Sequence, residues 1–177
     1  MLIILTGKTA SGKDTVAAKL LEKIPSLKKV LTTTSRTPRP GEQNGIDYNF
    51  VSGESFQQKI DSGDLIEYVE YGGNFYGTEK SQIDPNKDLI WKIDPSRAGK
   101  IRELISSKLI VIYLTAPDSV ILERLKKRGL SEDQIKKRVT DDQKFWEEYK
   151  DSYDHVIENI PGRLEQTVEQ VINFVKS

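Results

Sequence analysis

The residues best placed to do chemistry lie in the segment GKTASGKDT, from Gly7 to Thr15. Gly7 and Gly12 stand five positions apart and Lys13 follows at once, after a short apolar stretch and before an amphipathic one. This pattern predicts a strand, a glycine turn and a helix. Such a turn points backbone N–H groups and an ammonium at phosphate oxygens, with the positive end of the helix dipole behind them. The segment therefore predicts a nucleotide polyphosphate site made by Gly7, Lys8, Thr9, Ala10, Ser11, Gly12, Lys13, Asp14 and Thr15.

The residue after Lys13 departs from the usual phosphate-loop pattern, which has Ser or Thr there. Asp14 is a poor neighbour for a phosphate, because both groups carry negative charge. Its carboxylate does suit the first turn of a helix, and it could face Mg2+ through a water molecule. A glycine turn that only connects a strand to a helix is the alternative interpretation.

Two arginines form a second candidate site. Arg36 and Arg39 lie three positions apart around a proline, in the segment SRTPRPGE. A guanidinium group can donate two parallel hydrogen bonds, which suits a phosphate monoester, and the hydroxyl of Tyr48 could complete that pocket. The alternative is an exposed basic loop without a ligand.

A run of cations forms a third candidate site, in ERLKKRGLSEDQIKKR. Arg124 and Arg128 stand four positions apart and so share one helical face, and Arg138 follows ten positions later. The alternative is a solvated helical face, which is the usual role of such charge-rich runs.

Composition excludes several function classes. The chain has 27 Lys and Arg against 27 Asp and Glu, so we expect neither nucleic acid nor a membrane surface as a partner. It has no cysteine, which excludes disulfides, a thiol nucleophile and Cys-based zinc sites. The single histidine, His155, is expected to be a solvated residue at a strand edge. The apolar stretches fall short of the ~20 residues that cross a bilayer, so we expect a cytoplasmic protein.

Strands and helices alternate along most of the 177 residues, which are enough for one domain with a real core. The patterns predict strands at residues 2–6, 29–34, 88–94, 109–115 and 154–158. They predict helices at residues 13–23, 95–106, 117–128, 131–149 and 162–176. This alternation predicts an α/β fold, a parallel sheet of the P-loop NTPase type with helices on both faces. The segment 35–85 breaks the alternation, with a helix near 54–62 and a hairpin signal at Gly72-Gly73-Asn74, and predicts a small β-rich insertion.

Taken together, these segments resemble the guanylate kinase family of nucleoside monophosphate kinases. The matching pieces are the glycine turn, SRTPRPGE with NGIDYNFVS, LIEYVEYGGNFYGT, APDSVILERLKKRG and YDHVIEN. They occur in the family's order, cover nearly the whole chain and are far more specific together than singly. The resemblance implies one domain, residues 1–177, made of a core (1–34, 86–123 and 143–177), an NMP-binding insertion (35–85) and a helical lid (about 124–142).

The resemblance also implies an activity and the residues that perform it. The expected reaction is ATP-dependent phosphorylation of GMP, and of dGMP, with ADP release, with Mg2+ held through the ATP phosphates, in a monomer or homodimer. The implied GMP contacts are Thr32, Arg36, Arg39, Tyr48, Glu67, Tyr76, Thr78 and Asp94. The implied catalytic cations are Lys13, Arg36, Arg124, Arg128 and Arg138, the last three in the lid.

The chemistry of the guanine base supports the implied role of Glu67, which would otherwise be an ordinary solvated strand residue. Guanine presents N1–H and the N2 amine as adjacent donors, and an ionised carboxylate can accept both hydrogen bonds. Adenine has a bare N1 lone pair at that place, which a carboxylate repels. A site built on such hydrogen bonds discriminates strongly against bases that do not form them.

One segment departs from the family pattern. The family usually has Asp-Ile-Asp-x-Gln-Gly where this chain has Lys92-Ile93-Asp94-Pro95-Ser96-Arg97. Lys92 therefore replaces an acid, and we hypothesise that it pairs with Asp14, so that the two departures compensate. These departures leave room for an altered acceptor preference or for low activity.

Two other functions remain open from the sequence. One is a P-loop kinase that acts on another phosphorylated small molecule, against which Glu67 argues. The other is a non-catalytic guanylate-kinase-like module that binds a phosphorylated ligand. Such modules typically lack a working phosphate loop, whereas Lys13, Arg36 and Arg39 are all present here.

Overall fold

The computed structural model describes residues 1–105 and 108–176, and of Tyr71 the backbone. In chain order its strands and helices are β1 (Leu2–Gly7), α1 (Lys13–Lys23), β2 (Lys28–Lys29), β3 (Thr33–Thr34), β4 (Asn49–Phe50), α2 (Gly53–Asp61), β5 (Leu65–Tyr71), β6 (Asn74–Glu79), β7 (Leu89–Lys92), α3 (Pro95–Leu104), β8 (Leu109–Thr115), α4 (Asp118–Lys127), α5 (Glu132–Tyr149), β9 (His155–Glu158) and α6 (Leu164–Lys176). Short 3-10 helices follow β6 and α5, at Lys80–Gln82 and Lys150–Ser152.

The main sheet has five parallel strands in the order β2-β7-β1-β8-β9. The central strand β1 is buried along its whole length, as expected for an apolar strand that is covered on both faces. Its neighbour β7 ends at Lys92, which lies beside Leu5 in the register. The carboxyl ends of β1 and β7 therefore meet at one edge of the sheet, where ligands of parallel α/β sheets bind.

Alternating side chains of the main sheet build two separate apolar layers, one on each face. Leu2 and Ile4 of β1 pack with residues of α3 and with aromatic residues of α5. Ile3 and Leu5 pack on the other face with residues of α1 and α6. This confirms the predicted α/β fold with helices on both faces.

A second sheet, of four strands in the order β4-β3-β6-β5, is formed by β3 and by the three strands of the predicted insertion, 35–85. Strands β5 and β6 form an antiparallel hairpin around Gly72 and Gly73, whose positive φ angles of 59° and 71° suit a tight hairpin turn. The predicted hairpin is therefore confirmed. The division of the chain into core, insertion and lid remains a prediction.

The predicted strand at residues 29–34 is wrong, because this segment forms two strands in different sheets. β2 pairs with β7 in the main sheet, and β3 pairs with β4 and β6 in the second sheet. Between them the N–H of Leu31 donates to the side chain of Gln82 (3.3 Å) instead of to a strand. The chain therefore changes sheets at this point, which a local β pattern does not reveal.

Two smaller differences concern helix α3 and His155. Helix α3 ends at Leu104, two residues before the predicted end, and Ser106 lies outside the described residues. His155 does lie on the edge strand β9, but its ring stacks on Phe174 with ring centroids 3.6 Å apart, so it is partly covered and not fully solvated. Within the described part of the chain, no helix is long and apolar enough to span a membrane.

Candidate functional site

The turn between β1 and α1 has a backbone that requires glycine at its first position. Gly7 has φ of 136°, and a Cβ at this residue would lie 1.9 Å from the carbonyl oxygen of Leu114 on the adjacent strand. The N–H of Lys8 donates to that same carbonyl (3.0 Å), which holds the turn against β8. The turn ends at Gly12, with φ of 98°, directly before α1. These contacts fix the loop at the carboxyl edge of the main sheet.

The ammonium of Lys13 folds back over this loop. Its Nζ donates to the carbonyl oxygens of Gly7 and Lys8, both at 2.8 Å. Burial lowers the pKa of Lys13 to about 8, although the carboxylates of Asp142 and Asp14 act in the opposite direction. The loop therefore contains a partly desolvated cation, which gains most from a polyanionic ligand.

A buried carboxylate on α5 holds the phosphate loop from the other side. Asp142 is only 7% exposed, and its two oxygens accept hydrogen bonds from the N–H (2.8 Å) and the hydroxyl (3.3 Å) of Thr9. Burial raises the pKa of Asp142, against the hydrogen bonds from Thr9 and the charge of Lys13. The sequence carried no motif for this contact, which joins residues 133 positions apart.

A cavity of about 310 Å³ adjoins the start of α1. We call it the second cavity, because the same loop also borders a larger cleft of about 510 Å³. On this side Arg124 donates from Nη1 to the carbonyl of Ala10, and Asn159 donates from Nδ2 to the carbonyl of Ser11, both at 2.8 Å. The hydroxyl of Thr167 donates to Oδ1 of Asn159 (3.2 Å) and so fixes the orientation of the amide. The cavity is lined by Ala10, Gly12, Thr15, Arg124, Arg128, Asn159, Ile160, Pro161, Gly162 and Leu164. Asn159 lies in the segment YDHVIEN, whose sequence gave no signal for this contact.

The loop that carries Arg36 and Arg39, which we call the arginine loop, is held in shape by the carboxylate of Glu42. The two Nη atoms of Arg36 donate to the two carboxylate oxygens of Glu42 at 2.9 and 3.0 Å, and the backbone N–H of Arg39 donates to the same carboxylate at 2.7 Å. The guanidinium of Arg36 also lies above the rings of Tyr48 and Phe50. The side chain of Arg39 is exposed, whereas that of Arg36 is fixed by these neighbours.

The acids expected to read a base are joined by an arginine. Nη1 of Arg97 donates to both carboxylate oxygens of Glu67, at 3.1 and 3.0 Å, and its Nε donates to Oδ2 of Asp94. Asp94 also caps α3, where Oδ1 accepts the N–H of Arg97 (3.1 Å) and the hydroxyl of Ser96 (2.6 Å). Burial raises the pKa of Asp94, but the charge of Arg97 and these hydrogen bonds hold it below its ordinary value. Arg97 had no predicted role, and the only sign of it in the sequence was its departure from the family pattern.

The hypothesised contact between the two unusual charged residues is confirmed. Nζ of Lys92, at the end of β7, donates to Oδ1 of Asp14, in the first turn of α1. Burial raises the pKa of Asp14, but the hydrogen bond and charge of Lys92 more than offset this and keep the pKa below its ordinary value. Asp14 is therefore ionised at neutral pH.

The phosphate loop and the arginine loop border the same cleft, which we call the main cleft. Its volume is about 510 Å³. Of the sequence-predicted residues it is lined by Gly7, Thr9, Lys13, Asp14, Thr32, Arg39, Tyr48, Tyr76 and Asp94. Arg36 and Glu67 do not line the main cleft themselves but contact Glu42 and Arg97, which do. Lys8 does not line it and instead pairs with Asp118 (2.9 Å).

The predicted lid arginines are divided between two other cavities. Arg124 and Arg128 line the second cavity, while Arg138 lines a third, of about 420 Å³, together with Tyr76, Asp94 and Arg97. Their joint action on a transferred phosphate therefore remains a prediction.

Comparison with known proteins decides the family. The family model described as "Guanylate kinase" matches residues 1–177. The chain belongs to the guanylate kinase family. The guanylate kinase of Lactobacillus acidophilus is 36% identical over 100% of this chain and 86% of its own length, and that of Synechococcus sp. is 34% identical over 96% and 79%. The solved guanylate kinase of Anaplasma phagocytophilum is 28% identical, with a TM-score of 0.73 over 99% of this chain and 84% of its own.

Membership in the guanylate kinase family shows the activity class. The chain is a transferase of the kinase type, and phosphorylation of GMP by ATP is the function of its family. Two of the departures from the family pattern, Lys92 and Arg97, both line the main cleft.

The pair of Lys92 and Asp14 in this guanylate kinase gives a first prediction. We expect Lys92→Ala and Asp14→Ser each to lower kcat/KM, because each leaves an unpaired charge beside the phosphate loop. The double variant should lose less than the two single losses combined, with a coupling of about 1–2 kcal/mol in transition-state free energy.

Steady-state kinetics of the two single variants and the double variant measure this coupling. The pair of Lys19 and Glu22, which is exposed on the same helix, provides the control, since its cycle should be additive. Additive losses at Lys92 and Asp14 would show that the two departures do not compensate.

Proposed function

We propose that the main cleft transfers the γ-phosphoryl group of ATP directly to the phosphate of GMP, and of dGMP, without a covalent enzyme intermediate. The observation that carries this proposal is that Lys13 of the phosphate loop and Arg39 of the arginine loop line one cleft. Phosphoryl transfer depends mainly on the positioning of two phosphates and on neutralising their charge. A cleft with one phosphate-binding device on each side meets both needs.

The donor nucleotide is assigned to the phosphate loop and the second cavity. The N–H groups of the loop and the ammonium of Lys13 bind the β- and γ-phosphates, in place of the loop carbonyls that the ammonium now contacts. The nucleoside occupies the second cavity, which adjoins the loop at Gly12 and Thr15 and offers the guanidinium groups of Arg124 and Arg128.

The acceptor nucleotide is assigned to the other side of the main cleft. Arg36 and Arg39, with the hydroxyls of Tyr48 and Tyr76, bind the phosphate of GMP, and Glu42 holds Arg36 in place for it. Thr32 lines the same side.

The base of GMP is assigned to Glu67, Thr78 and Asp94. Thr78 lies opposite Glu67 in the hairpin, and its buried hydroxyl has no hydrogen-bond partner within the described part of the chain. A free hydroxyl beside a carboxyl group matches guanine, which places a carbonyl oxygen next to its N1–H and N2 donors.

The residues around the phosphate loop also fit Mg2+. Asp14 presents an ionised carboxylate next to Thr15, and Mg2+ prefers such oxygen donors together with phosphates. Mg2+ bound to the ATP phosphates and facing Asp14 would neutralise part of their charge.

The transfer step joins the two sides of the cleft. An oxygen of the GMP phosphate attacks the γ-phosphorus in line, a new P–O bond forms, and the bond to the bridging oxygen of ADP breaks. Arg124, Arg128 and Arg138 neutralise the charge of the transferred group when the lid, about 124–142, closes over it. Closure of the lid and the insertion, 35–85, excludes water, which would otherwise accept the phosphoryl group.

A substrate panel tests the proposed function and is our second prediction. Purified protein with ATP and Mg2+ is assayed for ADP release with GMP, dGMP, AMP, UMP or CMP. We expect turnover with GMP and dGMP alone, since only guanine presents the two adjacent donors that Glu67 accepts. ADP release with AMP, UMP or CMP, or equal release when no acceptor is added, would contradict the proposal.

A further inference from the structure

Arg97 contacts both carboxylates that the proposed function assigns to the guanine base, and it occupies both oxygens of Glu67. Nη1 lies almost equally far from the two oxygens of Glu67, at 3.1 and 3.0 Å, and therefore sits between them. The Glu67 side chain is only 7% exposed and that of Arg97 18% exposed, so the pair is shielded from solvent. Shielding of this kind strengthens a charge-assisted hydrogen bond.

Guanine needs the same two oxygens at the same time. Its N1–H and N2 amine are adjacent donors that approach a carboxylate as a pair, one donor to each oxygen. An Nη1 placed between those oxygens occupies the direction of that approach. The base and the guanidinium therefore compete for Glu67.

Arg97 also has a second ionic partner, the carboxylate of Asp94. Its Nε donates to Oδ2 of Asp94, which is fixed at the start of α3 by its own bonds to Ser96 and to the backbone N–H of Arg97. When Nη1 leaves Glu67, Arg97 still keeps an ionised partner in Asp94. Displacement therefore breaks one ion pair without leaving the guanidinium unpaired.

We infer that Arg97 is a built-in competitor of the guanine base, which closes Glu67 until GMP displaces it and thereby sets the affinity of the acceptor site. This inference rests on the proposed function. Adenine has no donor pair to replace Nη1, so AMP leaves the pair of Glu67 and Arg97 closed. Binding of GMP exchanges an ionic partner for two neutral donors, so Arg97 weakens GMP binding and acts before the chemical step.

The variant Arg97→Ala tests this inference and is our third prediction. We expect the Kd for GMP, measured by titration calorimetry without ATP, to fall about tenfold, because a hydrogen bond to a charged group no longer has to be broken. The Kd for AMP and the kcat at saturating GMP should stay within about twofold, since Arg97 acts on base binding and not on transfer. A residue that only supported the pocket would instead weaken GMP binding when removed.

Arg102→Ala is the matched control, because Arg102 lies on the same helix and loses an ion pair, with Asp154, at a distance from the cleft. Its Kd for GMP should be unchanged. An equal or higher Kd for GMP in Arg97→Ala would overturn the inference.

A measurement on the unaltered protein decides the question even if Arg97→Ala does not fold. In a crystal structure of the GMP complex we expect Nη1 of Arg97 to have left Glu67, with both carboxylate oxygens on the base. An Nη1 that stays on Glu67 in that complex would overturn the inference. GMP turnover distinguishes the two failures, since its absence removes the proposed function, whereas turnover without any displacement of Arg97 removes this inference alone.

Discussion

Lys13→Met is expected to lower kcat/KM for ATP by about a thousandfold. This is the usual effect of removing one preorganised, positively charged hydrogen-bond donor that stabilises a phosphoryl group during transfer. Lys13 supplies an ammonium that already lies over the phosphate loop, where it donates to the carbonyls of Gly7 and Lys8. Methionine keeps the length and most of the volume of the side chain but removes the charge. Steady-state kinetics with ATP as the varied substrate measure the loss.

The low pKa of Lys13 provides a second readout of the same prediction. Because the free protein holds this pKa at about 8, the ammonium loses its proton as the pH rises through that value. ATP binds the charged form, so its affinity should fall between about pH 7 and about pH 10, and Lys13→Met should lack this dependence on Lys13. An ATP affinity with the same pH dependence in both proteins would show that Lys13 is not the group that titrates.

Stability separates loss of function from loss of fold in this variant. Folding lowers the pKa of Lys13 from 10.5 to about 8, so the protonated lysine opposes folding. That penalty is fully present below about pH 8 and disappears above about pH 10.5, and Lys13→Met should not lower the Tm at neutral pH. Lys19→Met, on the same helix, is the matched control and should keep full activity.

Glu67→Ala is expected to lower kcat/KM for GMP by about a hundredfold, because the two donors of guanine lose a charged acceptor. The unaltered protein should not turn over AMP, and Glu67→Ala removes the carboxylate that repels N1 of adenine, so AMP turnover can only rise in the variant. The preference for GMP over AMP should therefore fall by at least the same factor.

The matched control for this variant is Glu70→Ala, which removes an exposed carboxylate from the same strand, β5. It should leave the kcat/KM for GMP unchanged and should show no turnover with AMP. The pair of Arg97 and Asp94 remains in Glu67→Ala and should keep the pocket folded, which circular dichroism checks. A GMP preference that survives in Glu67→Ala would mean that another group reads the base.

Local spacing was enough to predict most of the fold. The glycine turn follows from Gly7, Gly12 and Lys13 because phosphate-loop geometry is set by neighbours within one turn of chain. Strand β8 follows from a single apolar run. The strand predicted at residues 29–34 was wrong because strand pairing is not set by local spacing. Whether Thr33 pairs with β7, as β2 does, or with β6 depends on segments that are distant in the chain.

Pair contacts in the site were predictable only where the sequence carried two complementary signals. Lys92 and Asp14 each departed from the expected pattern, with opposite charge. Lys92 ends β7, and Asp14 lies in the first turn of the helix that follows the neighbouring parallel strand β1, so the sheet brings the two close together. Glu42, by contrast, was visible in SRTPRPGE without any sign that it would bind Arg36. The contact of Thr9 with Asp142 had no signal at all.

By itself, the sequence determined the phosphate loop, the arginine loop, the alternation of strands and helices and the family to which they belong. These features depend on residue types at short, fixed spacings, which set the local backbone whatever packs around it. Only the tertiary structure decided that Arg97 lies on Glu67, thirty positions away, and that the two loops border one cleft. Such contacts depend on how β5, α3 and β1 pack together, because packing alone determines which distant side chains come within hydrogen-bond distance.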